Sequence, residues 1–586
     1  MSSLIAYTLQ LPNPNNHLVE IAITFPIRGD GTALEVSLPS WSPGSYLMRE
    51  YARRVQEFQA FDAQDRPLTA RKIAKGTWSI PVTEGQQQVR VQYRVYAHEL
   101  SVRHCHVDTS HAFLHGPALF MYAEGRKEEP CRLTVQAPHD DWTLFTTLPR
   151  AAEDEGQPHR GVFQADDYDH LVDCPIEMGP HTAHHFEALG VPHTIVCWGS
   201  NRAPIARMLE EFPAFIAASA AMFGGTLPYD RYLFIVLHAD TGYGGLEHRD
   251  STALLYPGDG YVTEDHGYEN MLTLASHEHF HVWNVKRIRP AQLGPFNYTE
   301  ETYTRALWVI EGFTSYYQNI VVRRAGLITP ERFLELLGER YGKLMQIPGR
   351  HVHPLEEASF DAWIKLYRPD ESSSNTTVSY YLKGELVAAL LDVTIRARTN
   401  GVRSLDDLMR LLWAHFEEDG SGYPEEQLQQ YTEQIAGSDL SDFFEGMVRG
   451  TAPLDMNGAL EPLGLKVIPK DHTPNIPWLG FKQGTEGDLI KVEAVFTDSP
   501  AERAGINPGD TLVALGGQRA TRTTFTSLMK ARTPGDTERV HLFRRGQLLD
   551  VTLTYSEKPV QSYAIVPTDG ATDAQRALRR GWLAGD

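Results

Sequence analysis

The period of the hydrophobic pattern changes twice along this chain, and each change forces a change of architecture. Up to about residue 185, apolar and polar side chains alternate in short runs such as VEIAITFP, ALEVSLPSW, VRVQYRVYAHEL and CRLTVQAP, broken by Gly, Pro, Asn and Asp clusters. Successive side chains of a strand point to opposite faces, so this alternation buries one face and wets the other. A β-sandwich is the expected fold of residues 1–185. After a strand-like HTIVCW the spacing lengthens. RAPIARMLEEFPAFIAASAAMF, NMLTLASHEHFHVWN, PERFLELLGERYGKLM, GELVAALLDVTIRAR and SLDDLMRLLWAHF all carry helical periodicity. Helices therefore dominate 186–455, with one strand, RYLFIVLHAD, ahead of a Gly-rich TGYGGLEH. Ser404 and Ser438 suit N-caps, and Pro330 suits a first helical turn. Beyond a linker around TAPLDMNGALEPLG, alternation returns in LIKVEAVF, TLVALGG and RVHLFRRG. This marks a small third domain over 460–556, followed by a tail, 557–586, with the amphipathic stretch DAQRALRRGWL. The expectation is a multidomain α+β protein, in keeping with 586 residues at roughly 150 per domain.

Composition narrows the partners. A formal net charge of −21 is opposed to the basic surface that nucleic acid requires. No apolar run approaches the ~20 residues of a membrane-spanning helix. The opening MSSLIAYTLQLPNPNNH lacks a basic start and meets Pro12 early, so it reads as a first strand and not as a signal peptide. Four cysteines, Cys105, Cys131, Cys174 and Cys197, show no CxxC spacing and make neither a disulfide framework nor a thiolate metal site. The expected location is cytoplasmic, with neither nucleic acid nor membrane as partner.

The chemistry concentrates at His277-Glu278-His279-Phe280-His281, an HExxH motif within a helical pattern. Histidines four apart share a helix face, so His277 and His281 can hold one metal ion at roughly 2.1 Å. Glu278 is placed to contact a water on that ion and to serve as general base. His279 lies about 200° around the helix from His277 and faces elsewhere. Catalytic zinc takes three protein ligands and keeps one open position. The best third ligand is Glu311, on a second helix in RALWVIEGFTSYYQN, 30 residues (311 − 281) beyond His281. A carboxylate amid Trp308, Val309, Ile310 and Phe313 is costly to bury unless it is paired or metal-bound.

HEHFHVWNVKRIRP followed by LWVIEGFTSYY resembles the glycyl aminopeptidase family of gluzincin zinc metallopeptidases, relatives of thermolysin and aminopeptidase N. WSPGSYLMREYARRVQEFQA resembles the β-domain of that family. The resemblance implies a thermolysin-like, mainly helical catalytic domain over 186–455, one Zn2+ ion, and peptide substrates with a free N-terminus, small residues such as Gly or Ala being preferred there. It implies that Glu247 in GYGGLEH binds the substrate's α-amine, while Gly244 and Gly245 let an edge strand approach the peptide; His248 stands where aminopeptidase N relatives carry Asn. It also implies that Tyr381 in SYYLKGELV donates to the developing oxyanion, with Tyr380 as the alternative. PWLGF and SPAERAGINPGD resemble a bacterial PDZ domain, in which the loop at Leu479, Gly480 and Phe481 would take a peptide's C-terminal carboxylate.

Several features keep simpler readings. The basic cluster Lys286, Arg287 and Arg289 reads as structural ion pairing. In HCHVDTSH, His104 and His106 share a strand face with His111 close by, yet one ion is the expected metal content. No GxSxG elbow is present, which disfavours a serine hydrolase. Two rival functions stay open at this level: a zinc endopeptidase to which the PDZ domain recruits substrates, and a PDZ peptide-binding protein with a vestigial zinc site.

Overall fold

The computed structural model describes residues 4–28, 32–154, 156–470 and 474–585. The chain forms two compact units. The first comprises Met1–Tyr303, Tyr317–Leu327 and Leu412–Pro424; the second comprises Thr304–Tyr316, Ile328–Leu411 and Glu425–Asp586.

The first unit opens with a seven-stranded sheet in the order Arg160–Ala165, Cys131–Gln136, Ile5–Gln10, Leu18–Pro26, Gln88–Tyr96, Val55–Phe61, Pro67–Leu68. Its neighbours run antiparallel, except that Ile5–Gln10 lies parallel to Cys131–Gln136. The alternation read from the sequence is literal here. In Leu18–Pro26 every second residue (Val19, Ile21, Ile23, Phe25) is buried, each such side chain stabilising by about 2 kcal/mol. A four-stranded sheet that includes Ala33–Ser37 and Thr77–Pro81 sends Leu34, Val36, Trp78 and Ile80 into the same core. Two sheets thus share one apolar interior.

Another sheet of this unit lies in the segment before the HExxH motif. Five strands run in the order Ala183–Ala188, Val191–Trp198, Tyr232–Ala239, Ser251–Pro257, Gly244–Glu247. The three central strands are parallel. Tyr232–Ala239 is buried along nearly its whole length, as a strand covered on both faces must be, which is why it reads as a continuous apolar run. Gly244–Glu247 is antiparallel to its neighbour and forms an edge of the sheet. The HExxH residues begin near the end of the helix Gly267–Phe280, all of which bury from Met271 onward.

In the second unit, Pro330–Met345 starts as expected, with Thr329 capping and Pro330 in the first turn. Ser404 precedes a helix that begins at Leu405 and accepts from the Asp406 amide. Ser438 is not an N-cap. It follows Gly437, the left-handed terminus of Leu428–Ala436, and its hydroxyl accepts from Arg398. The stretch predicted as regular helix around Glu311 is a π-helical turn, Trp308–Phe313. That turn packs on Tyr380–Arg398 at a glycine pair: a Cβ on Gly312 would sit 2.6 Å from the Gly384 Cα. Towards the C-terminus, six strands from Phe481–Glu486 to Gln547–Thr554 form a sheet with its own apolar core. The amphipathic tail is a helix, Asp573–Ala584, with a capping box at Thr572 and Gln575; its Trp582 is buried and donates to the Tyr316 hydroxyl at 2.9 Å. Among the described residues no helix is long and apolar enough to cross a membrane.

Candidate active site

His277 and His281 both lie in the first unit, buried, and each has its Nδ1 tied down. His277 Nδ1 donates to Gln318 Oε1 at 2.7 Å, and His281 Nδ1 donates to the Asn284 carbonyl at 2.6 Å. With both Nδ1 atoms protonated, both Nε2 atoms carry lone pairs, and these two acceptors face one another across 3.1 Å. Two lone pairs in that position repel unless a cation lies on both, and the separation is close to the edge between neighbouring ligands of a metal held at ~2.1 Å. The donor set therefore fits a metal ion, with Gln318 and Asn284 fixing the tautomers as outer partners do. His279 turns away, as the helix geometry requires. Its Nε2 bonds the Tyr229 hydroxyl at 2.7 Å, and burial, then the neighbouring His193, holds its pKa well below the usual range.

Glu247, Glu278 and His281 bring ligand-capable atoms within 4.8 Å of one another, all three residues buried. The edge strand runs directly over the general-base candidate: a Cβ on Gly245 would stand 2.3 Å from the Glu278 Cδ and Oε1. Only glycine permits that approach. Glu247 is covered in turn by the segment WSPGS. Gly44, at φ +84°, comes so near that a Cβ there would meet the Glu247 carboxylate at 2.4–2.7 Å. Trp41, just before it, anchors the segment by donating to the Asn297 carbonyl at 2.7 Å.

In the second unit, Glu311 is buried on the π-helical turn. Tyr381 lies in the first turn of Tyr380–Arg398, capped by Ser379, and its hydroxyl is 3.0 Å from that of Tyr367. Burial, then the Glu311 carboxylate, pushes the Tyr381 phenol well above its ordinary value, so it stays a hydrogen-bond donor. Tyr380 also reaches Tyr367, at 3.2 Å, and is fully buried.

Residues 6–180 match the Peptidase M61 N-terminal domain, and residues 270–387 match the M61 glycyl aminopeptidase domain. An aminopeptidase N family protein from Idiomarina loihiensis is 30% identical, with 99% of this chain and 100% of that chain covered at a TM-score of 0.91. The chain belongs to the M61 glycyl aminopeptidase family. It is accordingly a peptidase. An M1 zinc metallopeptidase from Deinococcus radiodurans is also similar, at 15% identity and a TM-score of 0.47 over 77% of this chain and 94% of that one. Curated proteins offer no match.

In this M61 peptidase two members of the basic cluster after the motif, Lys286 and Arg287, bond within the protein. Lys286 pairs with Asp173 at 2.7 Å, and Arg287 spends its guanidinium on the carbonyls of Arg249, Val282 and Pro228. Burial opposes the Asp173 charge, yet Lys286 and His248 together hold its carboxyl well below the ordinary range. His248, beside Glu247, is thus part of a network, bonding Asp173 at 3.1 Å. Sequence reasoning missed Asp173, Gln318 and the Gly44 contact, because each joins segments far apart in the chain. Lys383, two residues beyond Tyr381, is buried, and burial pushes its ammonium down to about 8. At the C-terminal sheet, Leu479 is buried, Gly480 has φ +85°, and Phe481 begins an edge strand.

Proposed function

We propose that this chain is a zinc aminopeptidase that removes small N-terminal residues, Gly or Ala, from peptides. The observation that carries the reading is the pair of Nε2 lone pairs held face to face at 3.1 Å, beside a buried Glu278. Glu311 is the proposed third ligand, on its spacing from the motif and the cost of burying its carboxylate in so apolar a segment. A zinc ion there would polarise the scissile carbonyl and acidify a water.

The protein's own groups divide the remaining work. Glu278 takes the proton of the attacking water and passes it to the leaving amine. Glu247 pairs with the substrate's α-ammonium, which rewards a free N-terminus and penalises a blocked one. The edge strand at Gly244 and Gly245 offers its main chain to the substrate's. Tyr381, protonated throughout, donates to the oxygen on which charge develops. Residues 1–185, 186–455 and 460–556 serve in this reading as β-domain, catalytic domain and PDZ domain, with 557–586 as tail. The left-handed Gly480 at the start of the Phe481–Glu486 edge strand supports the PDZ assignment, with substrate recruitment as its role.

The test is hydrolysis of glycyl and alanyl chromogenic amides beside an N-acetylated peptide. Free-amine substrates alone should be cleaved; Glu278→Gln should lose activity by about 10²–10⁴-fold while keeping its zinc, and Glu247→Ala should fail mainly in KM. Equal cleavage of the blocked peptide would instead make the enzyme an endopeptidase. Zinc-loaded protein that cleaves neither would leave the PDZ domain as the better guide to function.

A further inference from the structure

Outside the residues assigned above, the first unit holds a file of histidines that ends on a buried carboxylate. His17 stacks on His98 with ring centroids 3.9 Å apart, and His98 stacks on His106 at 5.0 Å. His106 Nδ1 is 2.8 Å from His111 Nε2. His111 Nδ1 then lies 2.9 Å from Glu177 Oε1, and His181 Nε2 lies 2.7 Å from the same oxygen. Glu177 is fully buried, and its other oxygen, Oε2, has no hydrogen-bond partner. Among the described residues its only ion-pair partners are these two imidazoles; no Lys or Arg reaches it.

A buried carboxylate without a permanent cation is costly, so something must balance its charge. A purely hydrogen-bonded arrangement would spread two donors over two oxygens. Here both rings converge on one oxygen and leave the other bare. The ligand atoms of His111, Glu177 and His181 all lie within 4.8 Å of one another. We propose that these three residues form a second divalent metal site, with zinc as its occupant. Two imidazole nitrogens and one carboxylate are a donor set that zinc accepts, with the fourth position left to water or to Oε2.

The surroundings are built for it. Glu177 sits on the strand Ile176–Gly179, whose antiparallel neighbour Ala112–Leu114 follows directly on His111. His181 folds back over Gly179, where a Cβ would meet its Nε2 at 2.4 Å. Trp198 stacks on His111 at 3.7 Å and 13°, fixing the ring plane. His106 holds the far nitrogen of His111, which is the role of an outer partner to a metal-binding imidazole. The site clips two strands and the turn after them, so its service is structural. It also differs from the grouping that the HCHVDTSH spacing suggests, because His104 turns to Glu99 at 3.0 Å.

The test counts zinc on the full chain after loading with zinc chloride and dialysis. Wild type should hold two equivalents, His181→Ala one, His277→Ala one, and the double variant none. Zinc should raise the Tm of metal-free His277→Ala but not that of the double variant. Because His277→Ala leaves the proposed ligands intact, its failure to bind zinc overturns the proposal, whatever becomes of the other variant. A folded His181→Ala that keeps as much zinc as wild type overturns it equally, and means that a shared proton balances Glu177. These outcomes are independent of peptidase activity, so they separate this site from the one at His277.

Discussion

The contact between Gly245 and Glu278 turns a single methyl group into a measurement of how the general base is placed. In Gly245→Ala, the new Cβ would lie 2.3 Å from the Glu278 Cδ and Oε1. An ordinary contact begins at 3.4 Å, so about 1.1 Å of displacement is required, the difference between the two. The strand is held in register, with Gly245 opposite Leu254, and the Gly245 carbonyl accepts from Arg103 at 2.9 Å, whereas the carboxylate is the end of a side chain. The carboxylate therefore moves. A shift of ~1 Å in a catalytic group costs on the order of 10²-fold in rate, or about 2.7 kcal/mol of barrier. The expected result for glycyl amide hydrolysis is a kcat lower by about 10²-fold, with zinc content and Tm close to those of wild type. The comparison with Glu278→Gln completes the logic: the double variant should be no worse than Glu278→Gln alone, because both changes act on one group. If Gly245→Ala keeps kcat within a factor of two, or if its losses multiply with those of Glu278→Gln, the carboxylate is not what the methyl group displaces.

Three further outcomes follow from contacts of the same kind. Gln318→Leu removes the acceptor that fixes the His277 tautomer, so zinc affinity should fall by about 10–100-fold, read by competition with a chelator. Gly44→Ala puts a side chain at φ +84° and against Glu247; the backbone alone should cost about 1–2 kcal/mol, and KM for free-amine substrates should rise more than kcat falls. Lys383 is held at about 8 in the folded chain, below its unfolded value near 10.4. The unfolded state then binds more protons between those limits, so stability should rise as pH climbs from about 8 to 10. Lys383→Met should raise the Tm at pH 7 and flatten that rise, as followed by thermal scanning across pH.

What the sequence disclosed follows the reach of the interactions involved. The alternation of Leu18–Pro26 and the continuous apolar run of Tyr232–Ala239 are properties of single elements, and both were legible as strands. The pairing of His277 with His281 is likewise local, one turn of helix, and it stands where the four-residue spacing puts it. Glu311 is a harder case. Its segment reads as ordinary helix, but the chain inserts a π-helical turn at Trp308–Phe313, and the widened turn changes where each side chain points. No periodicity in WVIEGF announces that.

The groups that tune the site were invisible for a different reason. Gln318 reaches His277 from 41 residues away, and Asp173 reaches Lys286 across 113. Their residue types carry no signature, because a glutamine or an aspartate on a helix or a turn is ordinary until something buried faces it. Glu177 makes the point most sharply. Nothing near IEMGPH in sequence marks its glutamate as unusual, yet folding buries it completely against two imidazoles and leaves one of its oxygens bare. Charge that must be balanced is a property of the folded interior and not of the chain. A motif search finds ligands that lie on one element, and the accounting of buried charge finds those that three elements bring together.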